Sequence, residues 1–514
     1  MKSPILIKLS QVNERTIFLF LILLNSLPLL LFPFYPSMDG AAHLYNSNII
    51  VRLLLDNDSI YHKFYEFTPI LVPNWLGHFI LAFFNSFLPA MLAEKILLIS
   101  YSILLPVSFR YMVRKFSPNV TSLSYLVLPF TYHFLFILGY YNFSLSFILF
   151  FFLIGFIHKV SSQKLTIKQT IFLIFLFFLM SVTHIFGFAL LMLAMGIYFL
   201  WKIILQSKNS REIFKIIFSY LKFLLLSIPG FVIITLHLIH HQSESAVASV
   251  SEKENLWDFI MMIRPLVAYN FGKESGPTTI MFLIIFSLLI VNIFIRINDF
   301  KNKNHKKWKH LFKTEDFWLF FTFIMLIIIL FSPKSLGGAG NLLNRFGLAF
   351  FLAVISWLNF NNIPKWFYKT LVVFFVIANG FLIEYYVRVI NGLNNDAMEI
   401  YHSSQFIKEN STVYAYNASD HWLQIHFSNY LAVEKSIFVN DNYEASTGYF
   451  PVKWKIKKEK LERLNPEIYD YFYIYGVKRD KLPQDLTNLI YKNYESVYTS
   501  EKVQIFQVSS KSGE

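Results

Sequence analysis

The sequence contains no cysteine and few charged residues for its length. Cysteine is absent from all 514 residues, and only 15% of them are Asp, Glu, Lys or Arg, whereas a soluble domain averages about 25%. The lack of cysteine excludes a disulfide framework and a thiolate metal site. The shortage of charge, together with a hydrophobic content of 55%, excludes an ordinary water-soluble globular protein.

Several sequence motifs of common enzyme classes are absent as well. The chain has no P-loop, no G-x-G-x-x-G after a predicted strand, no H-E-x-x-H and no G-x-S-x-G. His240 and His241 are adjacent, but no further ligands follow at metal spacing. We therefore expect no metal site and no other cofactor.

Long apolar runs recur over the first three quarters of the chain, and they predict an α-helical multi-pass membrane protein. Each run approaches the ~20 residues that a helix needs to cross a bilayer. The segment 70–89 is interrupted by polar residues and is interpreted as a juxtamembrane helix. We expect about eleven transmembrane helices, at 16–33, 92–112, 119–138, 141–158, 167–183, 185–203, 213–238, 277–297, 315–332, 344–360 and 365–387.

The net charge of +14 is concentrated in short loops between the apolar runs. Lys and Arg in such loops mark the cytoplasmic side of a membrane protein, so the positive charge does not indicate a nucleic-acid partner. The distribution predicts a plasma (inner) membrane protein with a cytoplasmic N-terminus. The first loop and the C-terminal region are then extracytoplasmic.

The composition changes near residue 388. Short β-type runs, TVYAYN, SIFVN, YDYFYIYGV and VQIFQVS, alternate there with helical stretches such as NDAMEIYHSSQFIKEN and KKEKLERL, a pattern typical of an α/β domain. The sequence thus predicts a transmembrane domain over 1–387, whose outer loop 34–91 carries juxtamembrane helices. A small extracytoplasmic α/β domain is expected over 388–514.

Asp39 is the acid that opens the first outer loop. It follows the helix-breaking Pro33 and Pro36, and Gly40 comes directly after it. A carboxylate at the outer membrane boundary could take a proton from an acceptor hydroxyl, which makes Asp39 a candidate general base. The alternative is that Asp39 caps the helix that begins at Ala41.

Other polar residues are expected on the same side of the membrane. His43 lies one helical turn after Asp39 and could orient the acid or contact a phosphate, although a structural role is the alternative. Tyr141 and Asn142 begin a span, and His184 follows another outer break. Polar groups at membrane depth tend to face a bundle interior or a cavity, so these residues are candidate substrate ligands. For His184, the alternative is hydrogen bonding between helices.

Basic residues flank the glycine-rich outer loop SPKSLGGAGNLLNRF. Arg345 enters an apolar span and Lys334 lies at the other end of the loop. A guanidinium there suits bidentate binding of a phosphate, while the alternative is that both side chains reach lipid headgroups. Arg264, in the long loop 239–277, is a further candidate phosphate ligand.

Four short motifs occur in a characteristic order: MDGAAH around Asp39, PNWLGHF, GYYNFSL, and NRF at the start of a late span. In their order and sidedness they resemble the GT-C superfamily of membrane glycosyltransferases, which includes the protein O-mannosyltransferases and the lipid A aminoarabinose transferase. The resemblance covers most of residues 1–387 and concerns architecture rather than extended sequence identity. It implies a GT-C-like fold.

The resemblance also implies a reaction. A sugar would be transferred, with inversion, from a polyprenyl-phosphate carrier to a lipid, glycan or protein acceptor on the outer face of the membrane. Asp39 would be the base, and Arg345, with Lys334, would hold the lipid phosphate. The sequence departs from the GT-C pattern in two places, because Gly40 replaces a second loop acid and Tyr140 to Asn142 lack the acid of the second outer turn.

Two other functions fit the composition. A polytopic lipid or solute transporter would share the spans and the membrane-lipid surroundings, although the chain shows no repeated halves. A non-catalytic membrane scaffold with the same fold would explain the missing second acid.

Overall fold

The computed structural model describes residues 14–117, 121–240, 255–302, 312–333, 335, 340–358, 365–456, 469–476 and 482–509. The chain forms two compact units, each built from separate stretches of sequence. The first unit comprises Met1–Leu27, Ser100–Phe136 and Phe143–Tyr386, and the second comprises Pro28–Ile99, Ile137–Asn142 and Val387–Glu514.

Helices dominate the described residues. In chain order they are α1 (Glu14–Asn25), α2 (Leu27–Leu30), α3 (Gly40–Leu55), α4 (Tyr61–Phe64), α5 (Leu76–Asn85), α6 (Ala90–Phe116), α7 (Phe134–Ile137), α8 (Tyr141–Val160), α9 (Ile167–Thr183), α10 (Ile185–Gln206), α11 (Ser210–Leu226), α12 (Ile228–His240), α13 (Leu256–Met261), α14 (Phe271–Asn302), α15 (Phe317–Phe331), α16 (Leu342–Trp357), α17 (Lys365–Ser403) and α18 (Gln484–Asn493).

Six helical segments in the described part of the chain are long and apolar enough to cross a membrane, and a seventh results if α11 and α12 form one broken span. Shorter apolar helices include α5, α9 and α16. The predicted multi-pass helical class is confirmed, whereas the total of eleven crossings and the sidedness of the termini stay predictions. The six segments are Ala90–Phe116, Tyr141–Val160, Ile185–Gln206, Phe271–Asn298, Thr314–Phe331 and Thr370–Phe406.

Two expected spans are not single straight α-helices. The segment predicted at 119–138 is a 3₁₀ helix over Thr121–Tyr132 followed by α7, and Pro129 within it cannot donate a backbone hydrogen bond. The segment predicted at 213–238 bends by 54° between α11 and α12. Pro229 lies at this break, where its ring is tolerated in the first turn of α12 but cannot continue α11.

The first unit joins three of its helical segments through one buried acid. Asp316 precedes α15, and its Oδ1 accepts hydrogen bonds from Arg296 of α14 at 2.6 Å and from the indole Nε1 of Trp357 of α16 at 2.7 Å. Because the carboxylate is almost fully buried, the guanidinium supplies the countercharge that its burial requires. This pair fixes the ends of α14, α15 and α16 relative to one another.

The second unit contains a five-stranded sheet, which confirms the predicted α/β pattern of the C-terminal region. The strand order is β3-β2-β5-β7-β6. Strands β3, β2 and β5 run parallel to one another, β7 runs antiparallel to β5, and β6 runs antiparallel to β7. The predicted helical stretch KKEKLERL lies outside the described residues. The strands are β2 (Ser411–Asn417), β3 (Ile437–Val439), β5 (Tyr471–Tyr475), β6 (Tyr494–Thr499) and β7 (Val503–Val508).

The first loop and the C-terminal region share this second unit. Strand β1 (Tyr65–Phe67) pairs antiparallel with β4 (Val452–Trp454), and every residue of α3 from Gly40 to Ile50 is buried. Apolar residues at helical spacing here mark a helix that is enclosed by protein over most of its length, and only the end of α3 is exposed. The juxtamembrane position of the helices in loop 34–91 stays a prediction.

Candidate active site

The backbone of the second unit holds Asp39 at the start of α3. The N–H groups of Met38 and Asp39 donate hydrogen bonds to the carbonyls of Ile137 and Leu138, at 3.2 and 3.1 Å. Gly139 follows with φ +91°, and a Cβ at this position would lie 2.8 Å from Cβ of Asp39. Glycine is required here both by its conformation and by the close approach of the acid.

Asp39 is the N-cap residue of α3, but its side chain does not cap the helix. The side chain is 5% exposed and makes no capping bond to α3, whereas the Asp39 carbonyl accepts the His43 N–H at 3.0 Å. The interpretation of Asp39 as a side-chain cap is therefore wrong. The Tyr443 hydroxyl donates a hydrogen bond to the carboxylate. Burial raises the pKa of Asp39 to about 6, against the lowering effects of the His43 and His426 rings and the Tyr443 hydrogen bond.

Two histidines and one glutamate converge beside Asp39. Nδ1 of His43 lies 2.6 Å from Oε1 of Glu444, and Nε2 of His78, in α5, lies 2.7 Å from Oε2 of the same carboxylate. The two ring nitrogens are 3.2 Å apart. All three side chains are buried, and Glu444 is 0% exposed. We call these residues the His43–His78–Glu444 cluster.

The outer ring nitrogens of this cluster fix which atoms carry protons. Nε2 of His43 donates to the Gly139 carbonyl at 2.7 Å, and Nδ1 of His78 donates to the Asn74 carbonyl at 3.1 Å. The inner nitrogens of both neutral rings therefore carry lone pairs that face the Glu444 carboxylate. Oε1 of Glu444 is buried and lies close to Nδ1 of His43. Among the described residues, however, no contact of this oxygen has the angles of a hydrogen bond.

Such convergent lone pairs can be satisfied by protons or by a cation. For protonation, burial alone would lower the pKa of His43, but the Glu444 carboxylate raises it to about 9. Burial would raise the pKa of Glu444, but His78 and His43 lower it to about 2. For a cation, the donor atoms lie within 4.8 Å of one another, and two imidazoles with a carboxylate are ligands that suit Zn²⁺. The carbonyl-bound outer nitrogens match the way that metal-ligating histidines are oriented.

A second imidazole–acid pair, formed by His426 and Asp441, is close enough to Asp39 to act on its charge. Nδ1 of His426 is 3.0 Å from Oδ1 of Asp441, and the ring stacks on Tyr443 at 4.5 Å between centroids. Burial lowers the pKa of His426, but the hydrogen bond and charge of Asp441 outweigh it and raise the pKa. His426 therefore favours the ionised form of Asp39.

Tyr141 and Asn142, both predicted from the sequence, lie in the same unit. The Tyr141 hydroxyl is 2.7 Å from Oγ of Ser37, and its ring is 5.2 Å from the His43 ring between centroids. Asn142 accepts from the Gly77 N–H at 2.7 Å and donates to the Asn74 carbonyl at 2.8 Å. Asn142 thus holds the turn that leads into His78.

Glu94, in the first turns of α6, is a second buried acid of this region. It is 1% exposed, and its Oε2 accepts from the Tyr35 N–H at 3.0 Å. Its Oε1 has no hydrogen-bond partner among the described residues and would lie 3.5 Å from a Cβ built on Gly40. The second unit therefore contains buried acids beyond the first loop, which the sequence analysis missed.

The remaining predicted residues belong to the first unit. Arg345 of α16 donates to the Gly340 carbonyl at 3.0 Å and to Nε2 of His184 at 3.2 Å, so these two predicted ligands are in contact. Arg264 donates to the Val267 carbonyl at 2.8 Å, within its own turn. Lys334 lies outside the described residues.

Comparisons with known proteins were made by sequence and by structure. No protein-family model and no curated protein matches the sequence significantly. The structure matches the crystal structure of ArnT from Cupriavidus metallidurans bound to undecaprenyl phosphate, with a TM-score of 0.52 and 9% identity over 96% of this chain and 97% of that chain. The chain has a GT-C fold. The predicted fold is therefore confirmed.

The GT-C pattern drew attention to the first loop and left part of the site unassigned. His78 lies in the PNWLGHF motif, which carried no predicted role for the histidine. His426, Asp441, Tyr443 and Glu444 all come from one C-terminal stretch. The density of acids and histidines in that stretch was the available signal, but nothing in the sequence indicated that it packs against the loop of Asp39.

Proposed function

We propose that this protein is a membrane glycosyltransferase that uses a polyprenyl-phosphate-linked sugar and an acceptor on the outer face. The observation that carries the proposal is the buried Asp39 carboxylate, held by backbone bonds and flanked by Tyr443, His43 and His426. Support comes from the GT-C fold, since the matched ArnT structure holds undecaprenyl phosphate. The sugar, and the choice among lipid, glycan and protein acceptors, are left open.

The proposed reaction is a single displacement. Asp39 accepts the proton of an acceptor hydroxyl, whose oxygen attacks the anomeric carbon of the sugar. The bond from that carbon to the phosphate oxygen breaks, and polyprenyl phosphate leaves with the electron pair, which inverts the configuration. A positioned base of this kind contributes about 10²–10⁴-fold to a rate, and a pKa of about 6 keeps Asp39 ionised at neutral pH.

We assign the leaving phosphate to Arg345. Its guanidinium is buried and is held by the Gly340 carbonyl and by His184. A fixed guanidinium binds phosphate oxygens in pairs and stabilises charge that develops on the leaving group. His184 would then position Arg345. Lys334, Arg264, Tyr141 and Asn142 remain proposed substrate ligands.

We also propose that the His43–His78–Glu444 cluster binds a divalent metal. This proposal replaces the expectation from the sequence that the protein has no metal site. The support is the convergence of three buried donors and the orphan Oε1 of Glu444. A bound divalent ion would supply positive charge beside the reacting groups. The two histidines and the glutamate would then act as ligands and would not exchange protons with substrate.

Replacement of Asp39 tests the proposal directly. We expect Asp39→Asn to abolish the transfer, because an amide cannot accept the hydroxyl proton, while the protein still folds and inserts. The measurement is mass spectrometry of cell-envelope glycans from cells that lack the protein, complemented with wild type or variant. The variant should give the same glycans as cells without the protein.

The matched control is Asp58→Asn, which removes an exposed acid of the same outer loop and should leave the glycans unchanged. Wild-type glycans in the Asp39→Asn cells would contradict the catalytic assignment. A non-catalytic scaffold predicts no dependence of glycan structure on this carboxylate, so the same experiment distinguishes that alternative. Sugar transfer by the purified protein in detergent, where no compartments exist, distinguishes a glycosyltransferase from a transporter.

A further inference from the structure

The first unit contains a cavity of about 720 Å³ that is lined by none of the residues assigned above. It is formed where the loop after α8 meets the start of α9, the last turns of α10 and the length of α11. We call it the lysine pocket. It is lined by Ser161, Ser162, Gln163, Lys164, Leu165, Thr170, Lys202, Gln206, Glu212, Lys215, Ile216, Phe218, Ser219, Lys222 and Leu226.

Positive charge dominates this lining. Four lysines face one acid, Glu212, and that carboxylate already accepts the Lys208 N–H at 2.6 Å at the start of α11. Like charges gathered around one cavity repel one another, so the arrangement gains stability from an anion. The lining therefore indicates an anionic ligand.

Lys202 shows that the site is built and is not a chance cluster of surface charges. The side chain is 6% exposed, and its Nζ donates to the hydroxyls of Ser161 at 3.0 Å and Ser162 at 2.8 Å. In the described part of the chain, no carboxylate lies within ion-pair distance of this ammonium. A buried cation that has only neutral partners lacks the countercharge that its burial requires.

Apolar side chains also contribute to the lining of the pocket, and one of them belongs to an exposed apolar stripe. Phe218 lines the cavity and is 73% exposed, and Phe214, Leu221 and Leu225 continue the stripe along α11. These positions follow helical spacing, so they share one face of the helix. A ligand with an anionic head and long hydrocarbon chains complements both parts.

We propose that the lysine pocket binds the phosphate headgroup of an anionic membrane phospholipid, with its acyl chains along the exposed face of α11. The basic loops at this end of the helices are those predicted to be cytoplasmic, and basic pockets between helices on that side suit anionic headgroups. The Ser162 hydroxyl, which accepts a hydrogen bond from Lys202, would donate to a remaining phosphate oxygen, whereas the Ser161 hydroxyl orients Lys202 and donates to the His158 carbonyl. The proposal does not depend on the glycosyltransferase assignment.

Native mass spectrometry of the full-length protein tests this proposal. The protein is released from micelles in three separate samples. The first contains phosphatidylglycerol, the second contains phosphatidylcholine, and the third contains inorganic phosphate without either lipid. We expect phosphatidylglycerol to be retained in preference to phosphatidylcholine. Lys202→Gln should weaken this retention about fivefold, the effect of one lysine near a headgroup.

Two further variants test the proposal without changing the buried Lys202, whose replacement could also affect folding. Lys215→Gln with Lys222→Gln leaves Lys202 in place and should reduce retention by more than either single change. Lys168→Gln, an exposed lysine of α9 outside the lining, should retain the lipid as wild type does. Equal retention of both lipids, unchanged retention in the double variant, or displacement of the lipid by equimolar inorganic phosphate would overturn the proposal.

Discussion

At the scale of single residues, the candidate site is defined by a buried acid whose neighbours set its proton affinity. The rings of His43 and His426 and the Tyr443 hydroxyl favour the ionised form of Asp39, whereas burial and the Glu444 charge favour the protonated form. The sequence alone identified Asp39 because it is an isolated carboxylate at the end of a span. It could not supply the partners that determine the pKa, because these come from the C-terminal region.

The pH dependence of transfer follows from this environment. Only the ionised carboxylate accepts a proton, so without a metal in the His43–His78–Glu444 cluster the rate should fall as the pH drops below about 6, the raised pKa of Asp39. A divalent ion bound to that cluster would add positive charge beside Asp39 and move the midpoint to lower pH. Tyr443→Phe removes a hydrogen bond that lowers this pKa, and the midpoint should therefore move to higher pH. The measurement is a pH–rate profile of each protein.

A tyrosine of the five-stranded sheet provides the comparison for this profile. Tyr416→Phe changes a partly buried side chain of β2 that packs in the sheet core, and its profile should coincide with that of wild type. If Tyr443→Phe left the midpoint in place or moved it to lower pH, Tyr443 would not be bonded to the base.

At the scale of elements, a short loop does more to position Asp39 than the helix that the acid precedes. The segment from Ile137 to Gly139 accepts two backbone hydrogen bonds from the Asp39 loop and one from the His43 ring. The sequence analysis placed this region between the predicted spans 119–138 and 141–158. Its role in holding the Asp39 backbone could not be predicted, since the contact depends on the positive φ of Gly139 and on the close approach of two backbone segments.

Gly139→Ala should therefore damage both stability and activity. An alanine would have to adopt φ +91° and place its Cβ 2.8 Å from Cβ of Asp39, a strain of about 1–3 kcal/mol or more. We expect a lower midpoint of thermal unfolding and loss of the transferred sugar. Gly392→Ala is the control, because this helical glycine of α17 has no atom within 4 Å of a built Cβ. Equal losses of thermal stability and of sugar transfer in the two variants would show that the segment from Ile137 to Gly139 does not position Asp39.

At the scale of the whole molecule, residues far apart in the sequence complete one site. His43 and His78 come from the first loop, whereas Glu444 follows the last predicted span. Strand patterns predicted the α/β character of the C-terminal region, and apolar runs predicted the membrane class. The pairing of β1 with β4 could not be predicted, because strands of three residues carry too short a pattern to specify a partner far away in the sequence.

A metal bound to these distant ligands should stabilise the folded protein. We expect the purified protein to contain one divalent ion by elemental mass spectrometry, and a chelator to lower the midpoint of thermal unfolding. Saturation at 1,000 times the dissociation constant would stabilise by about 4 kcal/mol. Glu444→Gln and His78→Asn should contain less metal and respond less to the chelator.

Asp39→Asn separates the metal from the catalytic base, since it should lose transfer but keep the metal and the chelator response. Identical metal content in wild type and both ligand variants, or its absence from protein prepared with added Zn²⁺, would refute the metal proposal and leave the cluster as an imidazolium–carboxylate group.

The division of the second unit among residues 28–99, 137–142 and 387–514 has a consequence for biosynthesis. The ribosome produces Asp39 and His43 early, and Glu444 and Tyr443 only after every predicted span has been made. A nascent chain that stalls before residue 443 carries the proposed base without the groups that set its pKa. Under the proposed function, catalytic competence would arrive with the last part of translation, and a partly inserted chain would not consume the lipid-linked donor.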